Sequence, residues 1–414
     1  MLFSRGFSQD IQQQEEQPLL KWDLNSDGSR YVQVKGMGQL WFRYSELNTP
    51  SMIDGVMEDS YLDISLRRWR VAMSAQLTQR VFVFVKVGDN NFEFDNDSPD
   101  KPLIHDASIE YDFIPGKLIA GGGLTGWAGL LRFSSPDVNS ILTLDAPVYQ
   151  QATPQIKNKN ARGISFFVKG QINRFDYRIV IQDTRPTKAY IDSTSPNIYQ
   201  FDTKGRNPQL QGYFKYMFDH FESDKLPYQQ GTYLSHKPVF DVGLGFIYQK
   251  EGTHTVGHQG EELKHDIMLA GADLFVEEPI AKHVSLNLYA AVSYFDFGEN
   301  YINFNGVDNP VYSSSPEHNL GNSFPAIGTG SSFYLQSGLY IGHIQPFVSI
   351  QHSNYQRLNS PMVLTEWGFN WLLFHEHHKI TLAYQTRPYF EQDDGLYHFN
   401  ANKKSLTLQY QLSF

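Results

Sequence analysis

The sequence contains no cysteine, which removes disulfide frameworks, thiol nucleophiles and thiolate metal sites. It has no run of eighteen consecutive apolar residues, so no transmembrane helix is available. A form that spans a membrane must therefore use strands. Positive charge is in deficit, with 34 Lys and Arg against 44 Asp and Glu and a net charge of −10. That balance argues against nucleic acid as a partner. A nucleophile elbow, a P-loop, the Rossmann glycine set and H-E-x-x-H are all missing. No enzymatic activity, cofactor or metal is expected. The alternative is a barrel enzyme, whose active site needs no local motif.

Large rings are abundant: 30 Phe and 24 Tyr, in a chain that is 14% aromatic with a mean hydropathy of −0.41. The rings sit in alternating sequence rather than in apolar runs, which suits sheet wet on one face. The clearest case is 405–414, SLTLQYQLSF. Leu406, Leu408, Tyr410, Leu412 and Phe414 share one parity; Ser405, Thr407, Gln409, Gln411 and Ser413 share the other. Successive strand side chains point to opposite faces, so one face is greasy and the other polar. Lipid on one side and water on the other selects that pattern. The alternation recurs in 164–171, 175–182 and 284–294.

The fold expected is all-β: a transmembrane antiparallel β-barrel of about sixteen strands, with short periplasmic turns and long extracellular loops. Strands are expected near 30–45, 60–77, 81–92, 103–114, 117–129, 162–172, 175–183 and 209–219. The remainder fall near 239–250, 264–277, 283–296, 331–342, 345–355, 362–374, 379–390 and 403–414. Short turns follow alternate strands, as at Asn173-Arg174 and Gly342-His343-Ile344. The other connections are mostly long: 93–102, 130–161, 184–208, 251–263, 297–330 and 391–402. One connection, 220–238, is long on the short side. Residues 1–8 read as a signal-peptide remnant or as a disordered terminus. An N-terminal periplasmic segment over 9–29 then leads into a barrel over 30–414. Rings near strand ends, among them Trp41, Tyr44, Tyr111, Phe113, Trp127, Tyr213, Tyr216, Tyr294, Trp367, Trp371 and Tyr389, are expected to form two interfacial girdles. A soluble tandem sandwich is the rival architecture, although its connections need not alternate in length.

Residues 59–77, DSYLDISLRRWRVAMSAQL, carry R-R-x-R followed by a small/apolar alternation. This stretch resembles the second strand of the phosphate-selective porin O and P family. Ser29 to Tyr44 resembles that family's first strand. His105 to Phe113 with Pro115-Gly116-Lys117, and then Gly121-Gly122-Gly123-Leu124, resemble its D-A-x-x-E-Y hairpin and Gly-containing strand. The resemblance covers residues 29–130 and implies a sixteen-stranded trimeric porin whose third extracellular loop folds into the pore. Here that loop is 130–161. Anion selectivity in the family rests on bases at the constriction. This loop carries Arg132 against Asp137 and Asp145 between Leu130 and Gln155, a departure from the family pattern.

Arg67, Arg68 and Arg70 form the sharpest cluster. Leu62, Ile64 and Leu66 set the apolar parity before them, and Trp69, Val71, Met73 and Ala75 set it after them. The parity switch implies a β-bulge near Leu66–Arg67, after which Arg68 and Arg70 face inward. The arginines form an anion-attracting ladder or pair with inward carboxylates Asp106, Glu110 and Asp112; opposed basic and acidic walls combine the two. Lys35, Arg43, Lys169, Arg178 and Arg387 are further pore-lining candidates by parity, against Asp176 and Glu366. Asp23 to Gly28 imitates the front of a calcium loop or forms an Asx-rich turn. His375 to His378 reads as a solvated turn or a metal cluster, and Glu93, Asp95, Asp97 and Asp100 as a solvated or cation-binding acidic loop.

Two functions follow. The first is an outer-membrane porin for passive diffusion of small hydrophilic solutes or ions, with anion preference and a C-terminus on the periplasmic side of a bacterial outer membrane. Its partners are lipid, lipopolysaccharide, the solutes and, by the resemblance, a homotrimer. The second is a plugged barrel serving as a structural or interaction subunit of a larger outer-membrane complex.

Overall fold

The computed structural model describes residues 20–92, 103–127, 129–152, 162–184, 198–202, 207–307, 309–311, 320–374 and 377–414. Sixteen long strands form one closed antiparallel barrel. They are β1 Tyr31–Glu46, β2 Ser60–Gln76, β3 Val81–Phe92, β4 Leu103–Ile114, β5 Leu118–Thr125, β6 Gly163–Ile172, β7 Phe175–Gln182 and β8 Gln209–Met217. The second half is β9 Val239–Val256, β10 Glu262–Ala281, β11 Val284–Asp296, β12 Gly330–Ile341, β13 Ile344–Tyr355, β14 Met362–Phe374, β15 His378–Asp393 and β16 Leu396–Ser413. Each strand pairs with the next, and β16 returns to β1 from Met37↔Ser413 to Ser45↔Ser405. The described helical turns are short, and no helix among the described residues is long and apolar enough to cross a membrane.

Parity decides which way each side chain points. Outward residues are large, apolar and open: Ile64 is 75% exposed, Phe166 77% and Leu244 59%. Their immediate neighbours Ser65, Ser165 and Gly245 face in and are shielded or partly shielded. An exposed apolar band of this extent is untenable in water and is what lipid requires. Arg67 is the extra residue of the expected bulge, because Gln39 pairs with Arg68 while Leu40 pairs with Leu66.

All sixteen expected strands are present, with differences at the ends of β5, β9, β10, β15 and β16. β5 stops at Thr125 rather than at 129, because the chain there turns into the barrel. β9 and β10 run on to Val256 and back from Glu262, so the expected loop 251–263 shrinks to 257–261. The expected loop 391–402 is instead a tight hairpin at Asp394-Gly395, both with positive φ (50° and 80°). Asp-Gly is the residue pair that such two-residue turns favour. Four of the rings assigned to girdles, Trp41, Trp127, Tyr213 and Tyr389, have inward parity and are buried inside. Tyr44, Tyr111, Phe113, Tyr216, Tyr294, Trp367 and Trp371 do face out.

The 23–28 stretch forms an Asx turn: Asn25 donates to Asp27 at 2.6 Å, and Arg30 N donates to Asn25 at 2.8 Å. Residues 1–8, the acidic 93–102 loop and His375-Glu376 lie outside the described residues.

The seam between the first and last strands is completed by reciprocal backbone bonds between Gly36 and Phe414, each 2.9 Å. The Phe414 ring lies against Gly36, and a Cβ there would overlap it, whereas Gly38 has open space. Gly36→Val should therefore lower by several degrees the temperature at which the barrel loses its heat-resistant gel mobility. Gly38→Ala should leave that temperature unchanged. Equal effects of the two would show that the seam does not depend on this contact.

Candidate functional site

The barrel interior is crossed by two segments that enter from opposite ends. The first, described as far as residue 152, leaves β5 at Thr125 on the long-loop side. It packs against the β8–β10 wall, where the Leu130 backbone lies directly on Gly245 and a Cβ at that glycine would collide with it. Leu130, Leu131 and Phe133 join Phe275 of β10 and Tyr289 of β11 in an apolar cluster. The segment then reaches the opposite wall. Asn370 donates to Leu142 O at 2.9 Å, Lys379 to Ile141 O at 3.0 Å and Gln411 to Asn139 O at 2.9 Å.

The second segment is 218–238, which folds upward from the short-turn side. Lys169 donates to Asp224 O at 2.6 Å, Arg178 to Pro227 O at 3.3 Å and Gln345 to Thr232 at 3.1 Å. The two segments meet at a parallel bridge between Pro136 and Gln229. There Asp137 N donates to Gln229 O at 2.8 Å and Gln229 N donates to Ser135 O at 2.9 Å. Inward side chains around this junction are closed off from solvent: Gln211 is 0% exposed and Lys169 1%. The long connection on the short side is thus a lumen element.

A buried charge cluster fastens the second segment. Arg132 contacts Glu222 at 2.5 Å and Asp241 at 3.2 Å, and Lys215 contacts Glu222 at 2.5 Å. Tyr233 donates to the same Glu222 carboxylate. Two cations face two carboxylates, so removing one partner leaves an unpaired buried charge, which costs about 3–5 kcal/mol. Burial alone pushes the Glu222 carboxyl up. The Arg132 and Lys215 charges beside it outweigh that and hold it well below the usual carboxylate range.

The arginines of β2 find a partner other than the wall carboxylates. Arg67 reaches Asp145 at 3.1 Å and Arg68 contacts the same carboxylate. Arg68 also donates to Gln39 at 2.9 Å. The expected pairing with Asp106, Glu110 and Asp112 is absent among the described residues, because each is engaged elsewhere. Asp106 accepts from Gly126 N at 3.0 Å and faces Arg162 at 3.5 Å. Glu110 pairs with Lys169 at 2.8 Å. Asp112 sits at the turn and accepts from Gly116 N at 3.0 Å.

Arg70 donates to the Trp69 carbonyl at 2.7 Å and to Asn90 and the Asp89 carbonyl, all neutral groups. Among the other candidates, Arg43 pairs with Asp63 at 2.9 Å and Arg178 with Asp176 at 3.4 Å. Arg387 donates to Asn48 at 2.7 Å, and Lys35 is exposed at the short-turn end. Arg132, offered by sequence as the base of the constriction, is consumed by Glu222.

Sequence reading missed Lys86, whose ammonium lies 3.4 Å from the Tyr228 ring centroid. It also missed Lys215 and Glu222. Parity could have found both lysines: Lys86 alternates with Val85 and Val87, and Lys215 with Phe214 and Tyr216. Glu222 lies outside any strand and carries no such signal. Toward the long-loop end, a cavity of about 110 Å³ remains between 143–148, Val307, Asn322, Phe324 and the walls of β1 and β12–β16.

No protein-family model matches the chain, and no curated protein sequence matches it. Solved structures do share its fold. Salmonella typhi OmpF, in a complex with daunomycin, superposes with a TM-score of 0.52 at 10% identity, over 94% of this chain and 99% of that one. The outer membrane channel DcaP of Acinetobacter baumannii gives a TM-score of 0.50 at 13% identity over the same shares. The chain is a porin-like sixteen-strand barrel.

Glu222→Gln should free the 218–238 segment, read as faster proteolytic cleavage between β8 and β9 with the barrel intact. A depressed carboxylate contributes its stability above its ordinary value of 4.5 and loses it only as pH falls through the folded value. Cleavage of the unsubstituted chain should therefore stay slow from neutral pH down to about 4.5 and rise only below it. Release at pH 6 would contradict this assignment.

Proposed function

We propose that this chain is an outer-membrane channel through which small hydrophilic solutes and ions diffuse passively. Its place is a bacterial outer membrane, among lipid and lipopolysaccharide, with the C-terminus on the periplasmic side. One observation carries the reading: a closed barrel, apolar outside and polar inside, retains an unfilled cavity next to an inserted loop. Selectivity in such a lumen comes from width and from the charges at its narrowest part, and we assign the constriction to 130–161.

An anion preference is part of the proposal, placed at Arg70 and Lys86. Among the described residues, neither has a carboxylate at ion-pair distance, whereas Arg67 and Arg68 share Asp145. The resemblance of residues 29–130 to the phosphate-selective porin family supports that preference and a trimeric assembly. Arg70→Ala with Lys86→Ala should shift the reversal potential in a KCl gradient toward cation preference. An unchanged potential would remove these residues from selectivity.

A second reading is favoured by the 218–238 segment, which with 129–152 fills the middle of the lumen: a closed barrel acting as a structural or interaction subunit. Single-channel recording in a planar bilayer separates the two. A channel shows stable open levels, and replacing 220–235 with a short Gly-Ser linker should raise them severalfold. No stable level in the unsubstituted chain would favour the closed barrel.

A further inference from the structure

The register of β3 and β4 calls for an ion pair that the barrel does not make. Lys86 and Asp106 are direct cross-strand partners, and both side chains point inward. Opposite residues on one sheet face bring their Cβ atoms to about 5 Å, where unlike charges attract. Yet Lys86 lies over the Tyr228 ring, 3.4 Å from its centroid, and Asp106 faces Arg162 at 3.5 Å.

Tyr228 belongs to the 218–238 segment and accounts for both departures. Its hydroxyl donates to Asp106 Oδ2, while Gly126 N donates to Oδ1 at 3.0 Å, so each carboxylate oxygen already has a donor. The same hydroxyl accepts from Arg162 at 3.2 Å, and Arg162 and Asp106 offset each other's charge. The ring meets Phe84 edge-on, with 6.2 Å between centroids, and Lys86 lies 5.7 Å from the Phe84 ring as well. A ring face attracts a cation through its quadrupole but brings no net charge. Lys86 is therefore held without being neutralised. It keeps part of its surface open, and Arg70 stands on the adjacent strand opposite Gly88, two residues along from Lys86.

We infer that Tyr228 is a specificity-determining residue of the lumen. It is a positioning group that holds Asp106 away from Lys86 and so keeps the Arg70–Lys86 patch net positive. The inference rests on reading that patch as the source of anion preference. It gives the 218–238 segment a second effect: the chain that fills the middle of the lumen also sets the charge beside it.

The test is the reversal potential of the full chain in a planar bilayer under a KCl gradient, read as the chloride-to-potassium permeability ratio. Tyr228→Leu removes hydroxyl and ring together and lets Asp106 pair with Lys86. It should lower the ratio as far as Lys86→Ala does. In chains that already carry Lys86→Ala or Asp106→Asn, the same substitution should leave the ratio unchanged, because one member of the new pair is missing. A residue that only held the segment in place would shift the ratio alike in all three backgrounds, and that result would overturn the inference. Tyr228→Phe keeps the ring against Phe84 and gives up only the hydroxyl. It should shift the ratio in the same direction, and it carries the test if Tyr228→Leu fails to assemble. Reductive ¹³C-methylation of the lysines supplies a readout independent of conduction. The Lys86 dimethylamine resonance, identified by its loss in Lys86→Arg, should move downfield in Tyr228→Leu as the ring current is removed. A resonance that stays in place would overturn the inference whatever the bilayer shows. An unsubstituted chain without anion preference would remove the role of the patch and this one together. A preference that survives Tyr228→Leu unchanged would remove only this one.

Discussion

Backbone amides and carbonyls in hydrocarbon have no water to bond, so a chain that crosses with strands must close its sheet. Everything else in this protein follows from the β1–β16 seam that meets that demand. Closure leaves each strand one face for lipid and one for the lumen, and the sequence alternates to match. It also explains why a chain of negative mean hydropathy presents so much exposed Leu, Ile, Phe and Val. The apolar residues are outside, and the polar ones form the interior.

A sixteen-strand barrel encloses more space than its own inward side chains can fill. Here the surplus is occupied by two connections, 129–152 from one end and 218–238 from the other, which hydrogen-bond to each other in the middle. Their carboxylates and backbone carbonyls take up many of the wall's cations: Asp145 takes Arg67 and Arg68, Glu222 takes Lys215, and Asp224 O takes Lys169. The charge left over is local. Among the described residues, Arg70 bonds to neutral groups and Lys86 lies over the Tyr228 ring, whereas the charges lining the cavity beside 143–148 sum to zero.

Much of the architecture was legible in the sequence because a period-2 pattern is a local property. The sixteen strands and the bulge at Arg67 rest on parity and are present, whereas the expected alternation of turn lengths breaks at 257–261 and at Asp394-Gly395, both tight on the long-loop side. Where position along a strand was read in place of parity, the reading failed: Trp41, Trp127, Tyr213 and Tyr389 lie inside. The Asp394-Gly395 hairpin was available in the sequence but was hidden by the polar run around it. The partners of the arginines were not legible at all. They depend on how two long connections fold into the lumen, and neither connection carries a periodic signal. Asp106 and Glu110 are inward as parity requires, yet Arg162 and Lys169 reach them first.

The central claim is that lipid, rather than a protein interior, touches one parity and the lumen the other. The absence of cysteine makes this directly measurable by single-cysteine spin labelling along 406–412 in bilayers. Labels at Leu406, Leu408, Tyr410 and Leu412 should collide freely with oxygen dissolved in the hydrocarbon. Labels at Thr407, Gln409 and Gln411 should be sheltered from it, giving a strict two-residue oscillation. A flat profile, or oxygen access confined to the polar parity, would contradict the account.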